Sequence, residues 1–248
     1  MKRPTFLMAL LCLLATNQLF AQSTSIFIGT EGGFNISKLQ YTEDLKELYP
    51  TSNFRTGINA GVKAGFEMEE WIFTTGLNFI QKGGKYQTDN FDDGQGVGFI
   101  SAKERINYLS IPITVGYQKW FYEKLGAAIS IGPSINFGLK GKIDETYEYF
   151  GIDEVDKEHY EVSFGKGVND DYKKTQIGFQ IIPSLFYKVN DKGRVHLSVN
   201  WDMGTSDSFN PRYKSANDFF YDYKGNQLNQ SVMFTIGYTR HFNFEDKY

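Results

Sequence analysis

Six residues of this chain have types and spacing that could do chemistry together: Glu31, Lys63, Arg194, His196, Asp202 and His241. Each lies on the polar side of a segment in which polar and apolar residues alternate. Side chains of the same parity point to one face of a strand. Two inward histidines on neighbouring strands could begin a metal site, but no third ligand stands at a motif spacing. The sequence therefore predicts a hydrogen-bonded polar plug in which His196 and His241 share Arg194. Glu31, Lys63, Arg194 and Asp202 are expected to neutralise one another, with Asn59, His196 and Asn200 completing the network, because an unpaired charge away from water is costly. His159 stands alone in a long polar link.

Other chemical motifs are weak. No serine occupies a G-x-S-x-G elbow, and no nucleophile, base and acid can be assembled from the spacing. Asp89, Asp92, Asp93 and Gly94 resemble the start of a calcium loop, but Phe91 falls where a ligand belongs and Ile100 replaces the closing glutamate. Gly94, Gly96 and Gly98 lack the strand-to-helix setting of a nucleotide fingerprint. The single cysteine, Cys12, lies within an apolar run. No catalytic residue, metal ligand or cofactor site is assigned.

The elements that must position the polar residues begin after a leader. Met1-Lys2-Arg3 is basic, Phe6 to Leu14 is apolar but short of the ~20 residues a spanning helix needs, and Ala21 is small. Residues 1–21 read as a signal peptide and 22–248 as one domain. Loss of Lys2 and Arg3 lowers the 26 basic residues to 24 against 29 acidic ones, which argues against a nucleic-acid partner. Eight segments then alternate: 25–37, 54–67, 71–85, 103–118, 125–140, 174–188, 194–205 and 230–242. In the stretch from Ala127 to Phe137, for example, Ile129, Ile131, Ile135 and Phe137 oppose Ser130, Gly132, Ser134 and Asn136. The only helical expectation is one turn from Asp44 to Leu48.

Connections alternate in length. Short ones fall at 67–70, 119–124 and 190–193; long ones, rich in charge and tyrosine, span 38–53, 86–102, 141–173 and 206–229. The polar faces hold Gly, Ser, Thr, Asn and Gln rather than the Lys and Glu of a water-facing sheet. That composition suits the narrow interior of a barrel, while the continuous oily face suits lipid. The prediction is all-β: an eight-stranded antiparallel up-and-down transmembrane β-barrel in the outer membrane, with short periplasmic turns and long extracellular loops. Trp71, Trp120, Phe121, Tyr122, Tyr187, Phe242 and Phe244 would form an aromatic girdle at the short-turn end, with Phe54, Phe79 and Tyr86 near the other. Pro112, Pro133 and Pro183 are read as bulges that bend strands.

Four stretches also carry a family resemblance: Gly33-Phe34-Asn35-Ile36-Ser37-Lys38-Leu39, Leu77-Asn78-Phe79-Ile80-Gln81-Lys82-Gly83-Gly84, Asn107-Tyr108-Leu109-Ser110-Ile111-Pro112 and Gly132-Pro133. Together the chain resembles the PorT-like family of outer-membrane β-barrel proteins of Bacteroidetes-type bacteria. The resemblance implies an eight-stranded barrel inserted by the outer-membrane assembly machinery, surrounded by outer-membrane lipid and lipopolysaccharide. It supplies no catalytic motif. The family's namesake acts in protein secretion, but the shared motifs are architectural. The expected function is non-enzymatic: structural, binding or secretion-accessory, exerted through the extracellular loops on envelope or secretion proteins. A small pore or transporter is the alternative and an outer-membrane enzyme a more distant one.

Overall fold

The computed structural model describes residues 24–88, 91–92, 97–150, 155–167, 170–209 and 225–243. The leader at 1–21, Phe244, and the Asp89, Asp93, Gly94 and Gly96 positions of the acidic glycine loop lie outside the described residues.

In chain order the strands are β1 (Thr24–Tyr41), β2 (Thr51–Asn53), β3 (Arg55–Met68), β4 (Trp71–Lys82), β5 (Lys85–Gln87), β6 (Phe91–Asp92) and β7 (Val97–Trp120). There follow β8 (Leu125–Tyr149), β9 (Val155–Val162), β10 (Phe164–Gly165), β11 (Tyr172–Lys173), β12 (Thr175–Asn190), β13 (Gly193–Gly204) and β14 (Gln227–Asn243). One helical turn, α1 (Asp44–Leu48), lies between β1 and β2. Eight strands form a closed antiparallel ring. β1 pairs with β3, then β4, β7, β8, β12, β13 and β14 follow, and β14 returns to β1. Every ring neighbour is also the next ring strand in the chain, so this is an up-and-down barrel.

Parity decides the two sides of the wall. In β3, Arg55, Gly57, Asn59 and Glu67 are buried while Thr56, Ile58, Val62 and Phe66 are exposed. In β14, Ser231, Thr235, Thr239 and His241 are buried while Phe234, Ile236, Tyr238 and Phe242 are exposed. Ile113 is 54% and Leu197 56% exposed, whereas Ser134 and Asp202 are 0%. A water-soluble fold would invert this order. An apolar wall around a polar interior is the arrangement lipid selects.

The ring is taller on the long-connection side, the extracellular side of such a barrel. The predicted loops 86–102 and 141–173 are corrected here, for much of each is strand. β7 and β8 pair continuously up to Gly98 and Tyr149. β5 and β6 add to the free side of β7, and β2 adds to β5. β9 adds to the free side of β8. These extensions make a sheet standing above the membrane, called here the blade. Alternation of oily residues does not announce it because neither of its faces meets lipid.

Among the described residues, the apolar core cluster also lies at this end. Leu39, Tyr41, Leu45, Ile106, Tyr108, Val162, Tyr172 and Phe209 pack together, with Tyr49, Tyr86, Ile143 and Phe164 against them. The rings of Tyr41, Tyr49 and Tyr86 lie 4.7–6.1 Å apart, and Tyr172 stacks on Phe209 at 5.4 Å. Aromatic residues bury large areas with few rotatable bonds, so they make a rigid cork over the barrel mouth. Tyr86 therefore belongs to the cork rather than to a girdle.

The prolines also differ from expectation. The β7–β8 ladder omits residues 113 and 114 after Pro112 but resumes in the same register at Val115, and the β12–β13 ladder lapses at Ile182 and Pro183 without a shift. A proline removes one donor, and here the flanking pairs hold the register across the gap. The true shifts lie elsewhere, at Asn107/Tyr108 and Lys188/Asn190.

Candidate functional site

The lumen is bridged at three levels below the cork. At the periplasmic floor, Arg194 Nη1 donates to Glu67 Oε1 at 2.6 Å. Its guanidinium lies 4.9 Å from the Trp120 ring and 5.7 Å from the Phe186 ring. Trp120 thus closes the lumen instead of joining the outer girdle. It has the inward parity of β7, and a cation over its face supplies a contact that lipid could not. His241 is held by the Thr239 hydroxyl at 3.0 Å, and its Nδ1 lies 3.7 Å from Glu67 Oε2.

One level higher, Lys63 Nζ lies 3.3 Å from Glu31 Oε2 and 2.7 Å from His196 Nε2. The same His196 Nε2 lies 3.4 Å from Glu31 Oε2, so the imidazole nitrogen faces both members of the ion pair. Asn78 donates to the other Glu31 oxygen at 3.4 Å. Room for the imidazole comes from Gly237, where a Cβ would run into the His196 ring and the Thr30 carbonyl.

The third level joins opposite walls. Lys82 on β4 meets Asp202 on β13 at 3.0 Å, with side chains 3% and 0% exposed. Gln180 donates to the same Asp202 oxygen at 2.9 Å, and Asn200 donates to Gln180 at 3.0 Å. The expected union of Asp202 with Glu31, Lys63 and Arg194 is corrected. Asp202 is eight residues from Arg194, about 26 Å along the strand, so the two serve different levels. Asn59 lines the cavity between the second and third levels and its Nδ2 has no protein partner.

Above these levels the cork has its own polar seam. Glu104, 1% exposed, accepts from the Tyr172 hydroxyl at 2.7 Å and from Gln227 Nε2 at 3.2 Å. Tyr108 accepts from Asn229 at 3.1 Å. The outward face of β7 stays apolar only from Leu109 to Tyr117, so Glu104 stands outside the membrane-spanning segment. Burial raises its carboxyl to about 7, against the opposing hydrogen bonds of Tyr172 and Gln227.

Sequence reasoning missed Lys82, Glu67, Gln180, Glu104, Tyr172 and Gln227. Lys82 and Glu67 carry the same inward parity as their strands, and they end those strands, where a charge reads as the start of a turn. Two cavities of about 80 and 60 Å³ separate the three levels. Each has room for a few waters and for no larger solute. In the blade, His159 is not alone: its Nδ1 lies 2.8 Å from Asp144 Oδ1.

A closed up-and-down ring of eight antiparallel strands, apolar outside and polar within, defines a transmembrane barrel of the outer-membrane type. The family model described as "Outer membrane protein beta-barrel domain" matches residues 20–210, and the chain belongs to that family. Its place is the outer membrane. No curated protein matches the chain. Among solved structures it is similar to Neisserial surface protein A (NspA), at 10% identity, TM-score 0.41, covering 88% of this chain and 97% of that one. It is also similar to Ail, the attachment invasion locus protein of Yersinia pestis, at 11% identity, TM-score 0.38, with coverages of 89% and 99%. For OprG from Pseudomonas aeruginosa the values are 10%, 0.40, 89% and 97%.

Proposed function

We propose that this outer-membrane protein is a non-enzymatic, non-conducting barrel that works through its extracellular blade, in a structural, binding or secretion-accessory role. The observation that carries this reading is the aromatic cork above a lumen bridged at three levels. A pore needs a continuous polar path, and eight strands already leave space only for side chains. An enzyme needs a reachable reacting group; Glu31, Lys63, His196 and Asp202 are committed to one another or to Lys82 behind the cork. The blade presents exposed polar surface, with β9 exposed from Val155 to Glu161.

The PorT-like resemblance favours the secretion-accessory form of this role, and residues 1–21 as a cleaved leader fit export to the outer membrane. Photo-crosslinking residues placed at Lys157 and Tyr160 in intact cells test the reading. Discrete adducts with envelope proteins are expected there and not from Asp191 in the short turn. Adducts confined to Asp191, or a phenotype unchanged when β9 is replaced by a short linker, would contradict it.

A further inference from the structure

The outer wall of the barrel changes character over three rows of the sheet. Phe79, Leu109 and Phe137 are register partners across β4, β7 and β8 and form the last apolar row. Gln81, Asn107 and Lys140 form the next, with Gln81 donating to Asn107 at 3.1 Å. Beyond it Arg105 stands directly beside Lys142, and then Lys103 beside Lys85. All five cations are exposed. Successive rows are about 7 Å apart along the strand, or about 5 Å in height at a tilt of about 40°. The headgroup layer on each side of the hydrocarbon is about 5–8 Å deep. With the hydrocarbon ending at the apolar row, Lys140 stands about 5 Å above it and within that layer, Arg105 and Lys142 about 10 Å above it at the outer edge, and Lys103 and Lys85 about 15 Å above it, beyond the layer.

The bulge in β8 creates this face. Gly138 pairs with Tyr108 and Lys140 with Asn107, leaving Leu139 as the extra residue. Ser134, Asn136 and Gly138 point inward before it; Gly141 and Ile143 do so after it. In a regular strand of the same sequence, with no bulge at Leu139, Lys140 and Lys142 would point into the cork and Gly141 and Ile143 outward. A one-residue slip exchanges the faces of everything beyond it.

Two like-charged pairs, Lys85 with Lys103 and Arg105 with Lys142, sit directly opposite each other, an arrangement that destabilises a sheet when nothing lies between the charges. Asp144 and Glu161 are the register partners of Lys103 and Lys142 on this face, but their close ion pairs are with His159 at 2.8 Å and Lys140 at 3.1 Å. Among the described residues no ion pair holds Lys85, Lys103, Arg105 or Lys142. The chain as a whole is acidic, so composition does not account for the cluster.

We infer that Lys85, Lys103, Arg105, Lys140 and Lys142 form a binding site for the phosphorylated headgroup of an outer-leaflet glycolipid, whose acyl chains lie along the Phe79, Leu109 and Phe137 row below. Arginine and lysine side by side are suited to phosphate, the first as a planar fork and the second as a point charge.

The test uses the purified, refolded full-length barrel in detergent and hexa-acyl diphosphoryl lipid A as probe, with bound lipid counted by native mass spectrometry. The wild-type protein should hold diphosphoryl lipid A at least tenfold more tightly than the same lipid with its phosphates removed. Lys103→Gln/Arg105→Gln/Lys142→Gln should lose that preference, whereas Lys157→Gln/Lys166→Gln, on cations away from the boundary, should keep it. Inositol hexakisphosphate in solution should fail to displace the lipid. Equal affinity for the two lipids would overturn the site, as would an unaltered triple variant. Displacement by inositol hexakisphosphate at equal concentration would show a soluble-polyanion site instead. Should the triple variant not refold, the comparison of the two lipids on wild-type protein decides alone.

Discussion

Lys82 and Asp202 come from strands four places apart in an eight-membered ring, and they meet across the barrel at 3.0 Å. The two strands are not paired with each other in the sheet. The pair therefore ties together opposite walls that backbone hydrogen bonds connect only around the circumference. Lys82→Ala should leave a fully buried carboxylate without its partner and cost about 3–5 kcal/mol. Lys82→Met combined with Asp202→Asn should recover most of that loss, since the stranded charge is gone. Urea unfolding in lipid vesicles measures both; equal destabilisation of the single and double variants would place the Lys82 contribution in packing rather than in the ion pair.

Faces are tested by two substitutions at one position of β7. Ile113, exposed to lipid, should tolerate leucine but not lysine, with a cost of roughly 2–4 kcal/mol near the midplane. Refolding yield and urea midpoint are the readouts. A barrel that accepted Ile113→Lys as readily as Ile113→Leu would have its parity reversed.

The second lumen level depends on empty space beside the His196 ring. Gly237→Ala puts a methyl group into that ring and the Thr30 carbonyl and should cost about 1–3 kcal/mol. Gly32→Ala on the lipid side meets nothing closer than 3.6 Å and should be close to neutral. If the two alanines behave alike in thermal unfolding, the imidazole does not need the glycine.

Much of this architecture is legible in the sequence because lipid and a crowded lumen impose opposite chemistry on adjacent residues. All eight ring strands, the short turns and the inward parity of Glu31, Lys63, Arg194, His196 and Asp202 follow from alternation. Partner choice within the lumen does not. It depends on height along the barrel axis, which parity ignores; Asp202 consequently pairs with Lys82 and Arg194 with Glu67. The cork and blade were hidden for a different reason. Their residues come from widely separated segments, and Tyr41, Tyr108, Tyr172 and Phe209 are joined only by tertiary packing.

Acid should tighten the cork. The Glu104 carboxyl is raised from an ordinary 4.5 to about 7 by burial. A raised acid contributes stability that is complete below about 4.5 and is lost as the pH climbs through about 7, because ionisation is easier in the open form. The loss by pH 8 should be roughly 3 kcal/mol. Hydrogen exchange of the Leu39, Ile106 and Tyr108 amides is expected to be slower at pH 5 than at pH 8 after correction for intrinsic rates. Glu104→Gln should flatten the difference; a variant with the wild-type pH profile would remove Glu104 from the explanation.

The most direct test of a corked, bridged barrel is single-channel recording of the refolded protein in a planar bilayer. Wild-type protein should give no discrete conductance steps at neutral pH, and disruption of the third level alone by Lys82→Ala should give none either, because the cork and the Arg194–Glu67 floor remain. Stable, reproducible openings of the wild-type barrel would contradict a closed lumen and return transport to the centre of its function.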